Sequence, residues 1–516
     1  MDLLIKNSTI FDGTGNPPFT ANIGIKKDRI IYIGRDTFSA RRIIDAKEYV
    51  LAPGFIDTHS HSDFTCLADP RMEGKITQGI TTEINGNCGF SAFPMFGDVV
   101  ERRLPELSSL GLTPWNTLKE FKVLIKKARP AVNFVPLCGH GNIRGSVMGY
   151  KKGKANKNDL KKMEELLNKE MLSGVRGLST GLIYPPGIFA DTEEIVELVR
   201  VVAIQKGIYT THIRSEGDRL LAALEETVLI GKKAKIPVHI SHLKTSGEEN
   251  WWKIDTVLKI FEDAHKQGVR ITADRYPYVA SQTELSAFLP SWIIEGSKED
   301  ILKRLKSKTV RAEINDYLKN RGAKFLNSIA ISEVASDKDK SIEGRTLGEL
   351  TDLNRAANFI CDILIRSNLY VDVIYFGMSE ENLKRILLQP YVMIGTDASA
   401  RCRDGITARG KPHPRGFGSF PRFIRKYVLD AGLSLQEAIK KITYLPAKIF
   451  RIKKRGVIKE GYFADIVIFD PSTIKDKATF KEPFRISNGI KYVIVNGVIS
   501  VEDNEPTGKR NGRFLL

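Results

Sequence analysis

The chain has 516 residues, 42% of them hydrophobic and 27% charged, an ordinary balance for a globular protein with a large core and not for a disordered or fibrous one. Five scattered cysteines with no CxxC pair exclude a disulfide framework and point to a reducing, cytoplasmic setting; Asp2 stands where a secretory leader would be basic, and no apolar run approaches the roughly 20 residues that cross a bilayer. The net charge of +18 arises from lysines interleaved with acids, as in KKGKANKNDLKKMEELLNKE; that is a solvated face without a nucleic-acid-binding module, so neither nucleic acid nor membrane is an expected partner, although a positive field draws anionic small molecules.

Residues 1–54 alternate apolar and polar side chains in short runs (LLIKNSTIF, ANIGIKKDRIIYIG, YVLAPGF) separated by turn signals, which read as antiparallel strands. The same texture returns in ADIVIFDP and GIKYVIVNGVISVED. Residues 1–54 and 449–516 are therefore expected to build one small β-sandwich domain. Between them, across 55–448, strand-like runs alternate with amphipathic helical segments, the pattern of parallel strands with crossover helices. Eight runs stand out: Gly54–Thr58, Ile80–Gly86, Val132–Leu137, Val175–Thr180, Ile208–His212, Ile236–Ser241, Val269–Asp274 and Tyr391–Asp397. Eight parallel strands predict an α/β fold of the (β/α)8 TIM-barrel type, with its active site at the strands' carboxyl ends. The interval between the last two runs exceeds a crossover and predicts a lid insertion over residues 284–345.

The first run ends in GFIDTHSHSDF, placing His59 and His61 two apart. Residues two apart on a strand share a face, so both can reach one metal ion. A polar loop after a buried strand would give the same letters, but only eight histidines exist in the chain. His212 and His242 also close apolar, β-branched runs, and Cys88 (TTEINGNCG) and Asp397 (VMIGTD) close two more. Six potential ligands thus sit at the ends of runs one, two, five, six and eight. The other cysteines, Cys66, Cys138, Cys361 and Cys402, read as small buried hydrophobes.

PGFIDTHSHSD, QGITTEINGNCG, LCGHGNIRGSVMG, STGLIYPPG, THIRSEGD, ISHLK, MIGTDAS and HPRGFGSFPR together give the chain a resemblance, nearly end to end, to the amidohydrolase superfamily, and within it to the D-aminoacylases. Cys88 is the sharpest point of likeness, because many other amidohydrolases use a lysine carbamate or a glutamate there. The resemblance implies a tight zinc on Cys88, His212 and His242, and a second, weaker metal position on His59, His61 and Asp397. It implies Asp397 as general base and acid, and Lys244, Tyr276 and Arg415 as the grip on a substrate carboxylate, with Tyr184 lining the pocket.

The expected activity is zinc-dependent hydrolysis of small-molecule N-acyl-D-amino acids to a carboxylate and a free D-amino acid. Two alternatives stand beside it: a cyclic-amide (hydantoinase- or dihydroorotase-like) or β-aspartyl-peptide hydrolase, and a barrel scaffold without catalysis. Past YPY the chain reads ASQTELSAFLP, with Gln282 and Thr283 and no arginine for a second carboxylate, so neutral or apolar D-residues fit better. Arg401 and Arg403 after the catalytic aspartate leave an acidic substrate open. His140 has no assigned role, and the sequence leaves the oligomeric state open.

Overall fold

Eight short parallel strands form the centre of the computed structural model, which describes residues 1–516. They are β1 (Phe55–Asp57), β2 (Ile80–Asn85), β3 (Asn133–Pro136, continued by Cys138–Gly139), β4 (Gly177–Gly181), β5 (Ile208–His212), β6 (Val238–Ile240), β7 (Ile271–Arg275) and β8 (Val392–Ile394). Each pairs in parallel with the next. The ring closes where Thr58 donates to the Ile394 carbonyl from its backbone N (3.3 Å) and from Oγ1 (3.0 Å), and where Ser60 pairs with Ala398. Strands buried on both faces read as continuous rather than alternating apolar runs, and β2, β4 and β5 are buried throughout.

Helices wrap the ring because their sequences carry both a start signal and an apolar stripe. Asp191 caps Thr192–Ile204 by accepting from Glu194 N, and that helix lays Ile195, Leu198, Val199 and Val202 against the barrel. Thr117 and Asn156 begin Leu118–Ala128 and Lys157–Leu172 with reciprocal capping boxes.

Both chain ends supply strands to one hydrogen-bonded sheet of nine. Its two halves meet where Val50–Pro53 pairs antiparallel with Ile466–Phe469. Alternation then divides the work: Ile466 and Ile468 pack with Ile5 and Ile23 inside the sheet domain, while Val467 and Phe469 join the barrel core. Near the carboxyl terminus Phe514 bridges to Phe134 of β3, and Leu515 N donates to the Phe134 carbonyl at 2.8 Å.

The excursion between β7 and β8 is longer than the expected 284–345. It contains a three-stranded antiparallel sheet of Ser281–Glu284, Ile329–Val334 and Val371–Tyr375, the last of these central. Helices Lys298–Lys306, Lys308–Asn327 and Ala356–Arg366 cover it and give it a separate apolar core that includes Leu305, Ile314, Ile360 and Val373. The closing strand comes late in sequence, which is why a boundary drawn at 345 cuts the unit in two.

Candidate active site and metal centre

The carboxyl ends of the strands open into a cavity of about 460 Å³. Around its floor the ligand atoms of His59, His61 and Cys88, of Cys88, His212 and His242, and of His59, His242 and Asp397 form three groups, each within 4.8 Å. Cys88 is common to two of these groups, its Sγ lying 3.3 Å from His59 Nε2 and 3.4 Å from His242 Nε2. Cys88, His242 and Asp397 all take left-handed backbone, with φ of 53°, 39° and 51°. That conformation costs a non-glycine residue roughly 1–3 kcal/mol and clusters at functional sites. Gly395 permits the close approach of β8, since a Cβ there would sit 2.5 Å from His59 Cβ.

Buried acids orient the imidazoles. His59 Nδ1 faces Asp274 Oδ2 at 3.3 Å, which leaves Nε2 as the atom turned toward Cys88. The same Asp274 oxygen lies 2.7 Å from His239 Nε2, and Asp274 Oδ1 accepts from His242 N at 2.7 Å. His242 Nδ1 stands 2.8 Å from Glu216 Oε1. Such outer partners fix the tautomer and direction of a ligating histidine. His212, although buried, has no hydrogen-bond partner at either ring nitrogen.

Charges follow the packing. Burial pushes the Cys88 thiol up, but His59 and His242 beside it hold it well below the ordinary thiol range, in the metal-binding thiolate form. Burial likewise raises Asp397, yet Arg415 and His242 hold it well below the usual carboxylate range. The His212 imidazole is lowered by burial and stays neutral, as a ligand must be. A thiolate, imidazoles and a carboxylate gathered in these overlapping groups make a donor set suited to zinc, and the partnerless nitrogens of His212 fit that use.

Residues 42–501 match the amidohydrolase family model. Over all of its length the chain is 34% identical to the D-aminoacylase of Alcaligenes xylosoxydans xylosoxydans, covering 97% of that protein. The chain belongs to the amidohydrolase family. Among solved structures it is similar to the N-acyl-D-glutamate deacylase of Bordetella bronchiseptica complexed with zinc and a phosphonate mimic of the tetrahedral intermediate, with a TM-score of 0.83, 32% identity and coverage of 100% of this chain and 99% of that one. A D-aminoacylase structure concerned with its binuclear metal centre gives a TM-score of 0.83 at 33% identity, with the same coverage.

In this amidohydrolase Tyr184, Lys244, Tyr276 and Arg415 line the same cavity as the candidate ligands. Arg415 lies over the Tyr276 ring, 4.6 Å from its centroid, and the buried Tyr276 hydroxyl has no partner. Lys244 contacts Glu216 and stands 2.8 Å from His242 Nδ1. The Tyr184 ring lies 5.1 Å from that of His212, and its hydroxyl lies 3.4 Å from Thr283 Oγ1. His140 is turned away to Glu194, at 2.9 Å. The two arginines left open for an acidic substrate are already engaged: Arg401 pairs with Glu333 at 2.9 Å, and Arg403 pairs with Glu73 (3.2 Å) and Glu505 (2.9 Å).

Lys75 escaped the sequence reading. Fully buried, its Nζ lies 2.7 Å from Asp57 Oδ2, 2.9 Å from Ser60 Oγ, 2.7 Å from Thr396 Oγ1 and 2.7 Å from the Ala398 carbonyl. It thereby ties the segment carrying His59 and His61 to that carrying Asp397. A signal existed: Asp57, Glu83 and Asp274 interrupt apolar strand runs, and a charge inside such a run requires a buried partner. Glu216 stood in the quoted THIRSEGD without a role.

Proposed function

We propose that the chain hydrolyses the amide bond of N-acyl-D-amino acids, releasing a carboxylate and a free D-amino acid, with zinc held tightly by Cys88, His212 and His242 and more weakly by His59, His61 and Asp397. A divalent ion there supplies Lewis acidity, polarising the acyl carbonyl and acidifying water. Arg415, Lys244 and Tyr276 hold the substrate's α-carboxylate, fixing which face of the amide is presented. Asp397, ionised, accepts a proton from the attacking water as its oxygen bonds to the acyl carbon. It then delivers that proton to the amide nitrogen as the C–N bond breaks, so the amine departs neutral rather than as an anion. The zinc of the Bordetella enzyme and the activities that name the relatives support this reading.

The observation that carries it is the convergence of six candidate ligands, five of them lining one cavity together with Lys244, Tyr276 and Arg415. A cyclic imide has no free carboxylate for Arg415 to hold. The deciding experiment compares N-acetyl-D-amino acids with their L-enantiomers, with and without added zinc. Turnover of the D-series alone supports the reading, and equal turnover of the L-series overturns it.

A further inference from the structure

We propose that the cavity wall built by the excursion is a subsite for a cationic D-side chain, arginine- or lysine-like, anchored by Asp372. This rests on the deacylase reading above.

Three acids lie in one row across the excursion's sheet: Glu284 pairs in register with Asp372, and Asp372 with Glu333. Like charges directly opposite one another on a sheet repel. Only Glu333 has a cation within ion-pair distance, Arg401 at 2.9 Å, and that arginine also donates to the Arg409 carbonyl at 2.8 Å. Asp372 receives a single hydrogen bond, from Gln282 Nε2 at 3.1 Å, and Glu284 one from Ser286 Oγ at 3.3 Å. Both carboxylates line the cavity. Burial, with Glu333 and Glu284 beside it, pushes the Asp372 carboxyl up to about 7, and a bound cation would relieve that cost.

The row is continuous with a place made for a ligand. Tyr276 and Arg415, at 0% and 4% exposure, line the same cavity with the Tyr276 hydroxyl and Arg415 Nε lacking partners. Gln282 links the two regions: while its Nε2 holds Asp372, its Oε1 accepts from His413 N at 2.9 Å, and His413 Nδ1 accepts from Arg415 N at 3.0 Å. On this proposal a side chain leaving an α-carbon held at Arg415 runs along the excursion wall toward Asp372. Phe288 and Tyr375, with ring centroids 5.2 Å apart, also line the cavity, packed against the excursion's own apolar core. Of the other lining cations, Arg103 is paired with Glu106 at 2.9 Å and Arg102 sits at the exposed rim.

The test measures kcat/KM on the zinc-loaded enzyme for N-acetyl-D-arginine, -lysine, -methionine and -glutamate. Arginine and lysine are expected to exceed glutamate by about 100-fold, and Asp372→Asn to lower the arginine-to-methionine ratio by about 10-fold, through KM. Should that variant fail to fold, Glu284→Gln, on the exposed neighbour, is expected to move the same ratio in the same direction. Glutamate turned over as well as arginine, or equal losses for arginine and methionine in D372N, would overturn the subsite. If methionine is hydrolysed without any cation preference, the subsite alone fails. If no D-substrate is hydrolysed, the deacylase reading fails and the subsite with it.

Discussion

Arg415 Nη1 stands 2.7 Å from Asp397 Oδ2. The guanidinium that is to hold the substrate's carboxylate is thus already in contact with the carboxylate that is to move protons. Arginine presents two edges, so an arriving α-carboxylate either shares the group with Asp397 or displaces it.

Arg415→Lys keeps the charge and loses the fork. It is expected to lower kcat/KM by about 100-fold on N-acetyl-D-amino acids. The penalty should shrink toward that of unrelated surface variants on substrates carrying an α-carboxamide, which have no charge to hold. An equal penalty on both substrates would place Arg415 with Asp397 alone.

Chelation is expected to abolish turnover, and added zinc to restore it. Cys88→Ala, which removes the thiolate common to two ligand groups, should give protein that purifies without its tight ion and is at least about 1,000-fold less active. Metal content of the purified variant checks the first half independently of any assay. Full metal content with retained activity would make the cysteine structural.

Lys75→Met leaves Asp57 without its buried cation. Removing one partner of a buried ion pair typically costs about 3–5 kcal/mol, so denaturant unfolding should register a loss of that size. Asp57→Asn combined with Lys75→Met should cost less than the sum of the two single changes. Additive losses would mean that the lysine does not act through Asp57.

Much of the architecture was legible because barrels write themselves in period and punctuation. Runs such as Ile208–His212 and Tyr391–Asp397 end in the chemistry-bearing residue, and the strand end is where that residue becomes useful. What stayed hidden depends on contacts between residues far apart in the chain. Nothing in RMEGKITQG distinguishes Lys75 from a surface lysine until Asp57, Thr396 and Ala398 surround it. His239 and His242 share one short segment, yet His239 Nε2 turns to Asp274 and His242 Nε2 to Cys88. The excursion runs past the expected limit because both the helix Ala356–Arg366 and the strand that completes its sheet, Val371–Tyr375, follow residue 345.

Glu170 offers a pH test away from the active site. Burial raises its carboxyl from 4.5 to about 7, and its Oε2 has no partner. Below pH 4.5 the group is protonated whether the chain is folded or not. Between 4.5 and about 7 the unfolded chain ionises it while the folded protein keeps the proton, so stability falls as pH rises through that window, by an amount of order 3 kcal/mol. Glu170→Gln should flatten this part of the stability profile and leave the variant the more stable protein above pH 7. An unchanged slope would assign the pH dependence elsewhere.

The pairing of Val50–Pro53 with Ile466–Phe469 sets a timetable for biosynthesis. The first strands of the sheet leave the ribosome more than four hundred residues before the strand that completes their pairing. Until it arrives, Val50 to Pro53 present an open edge able to recruit a foreign strand. The barrel can close in the meantime, but the sheet beside it matures only as synthesis finishes. The aggregation hazard during synthesis is therefore expected at the amino-terminal sheet.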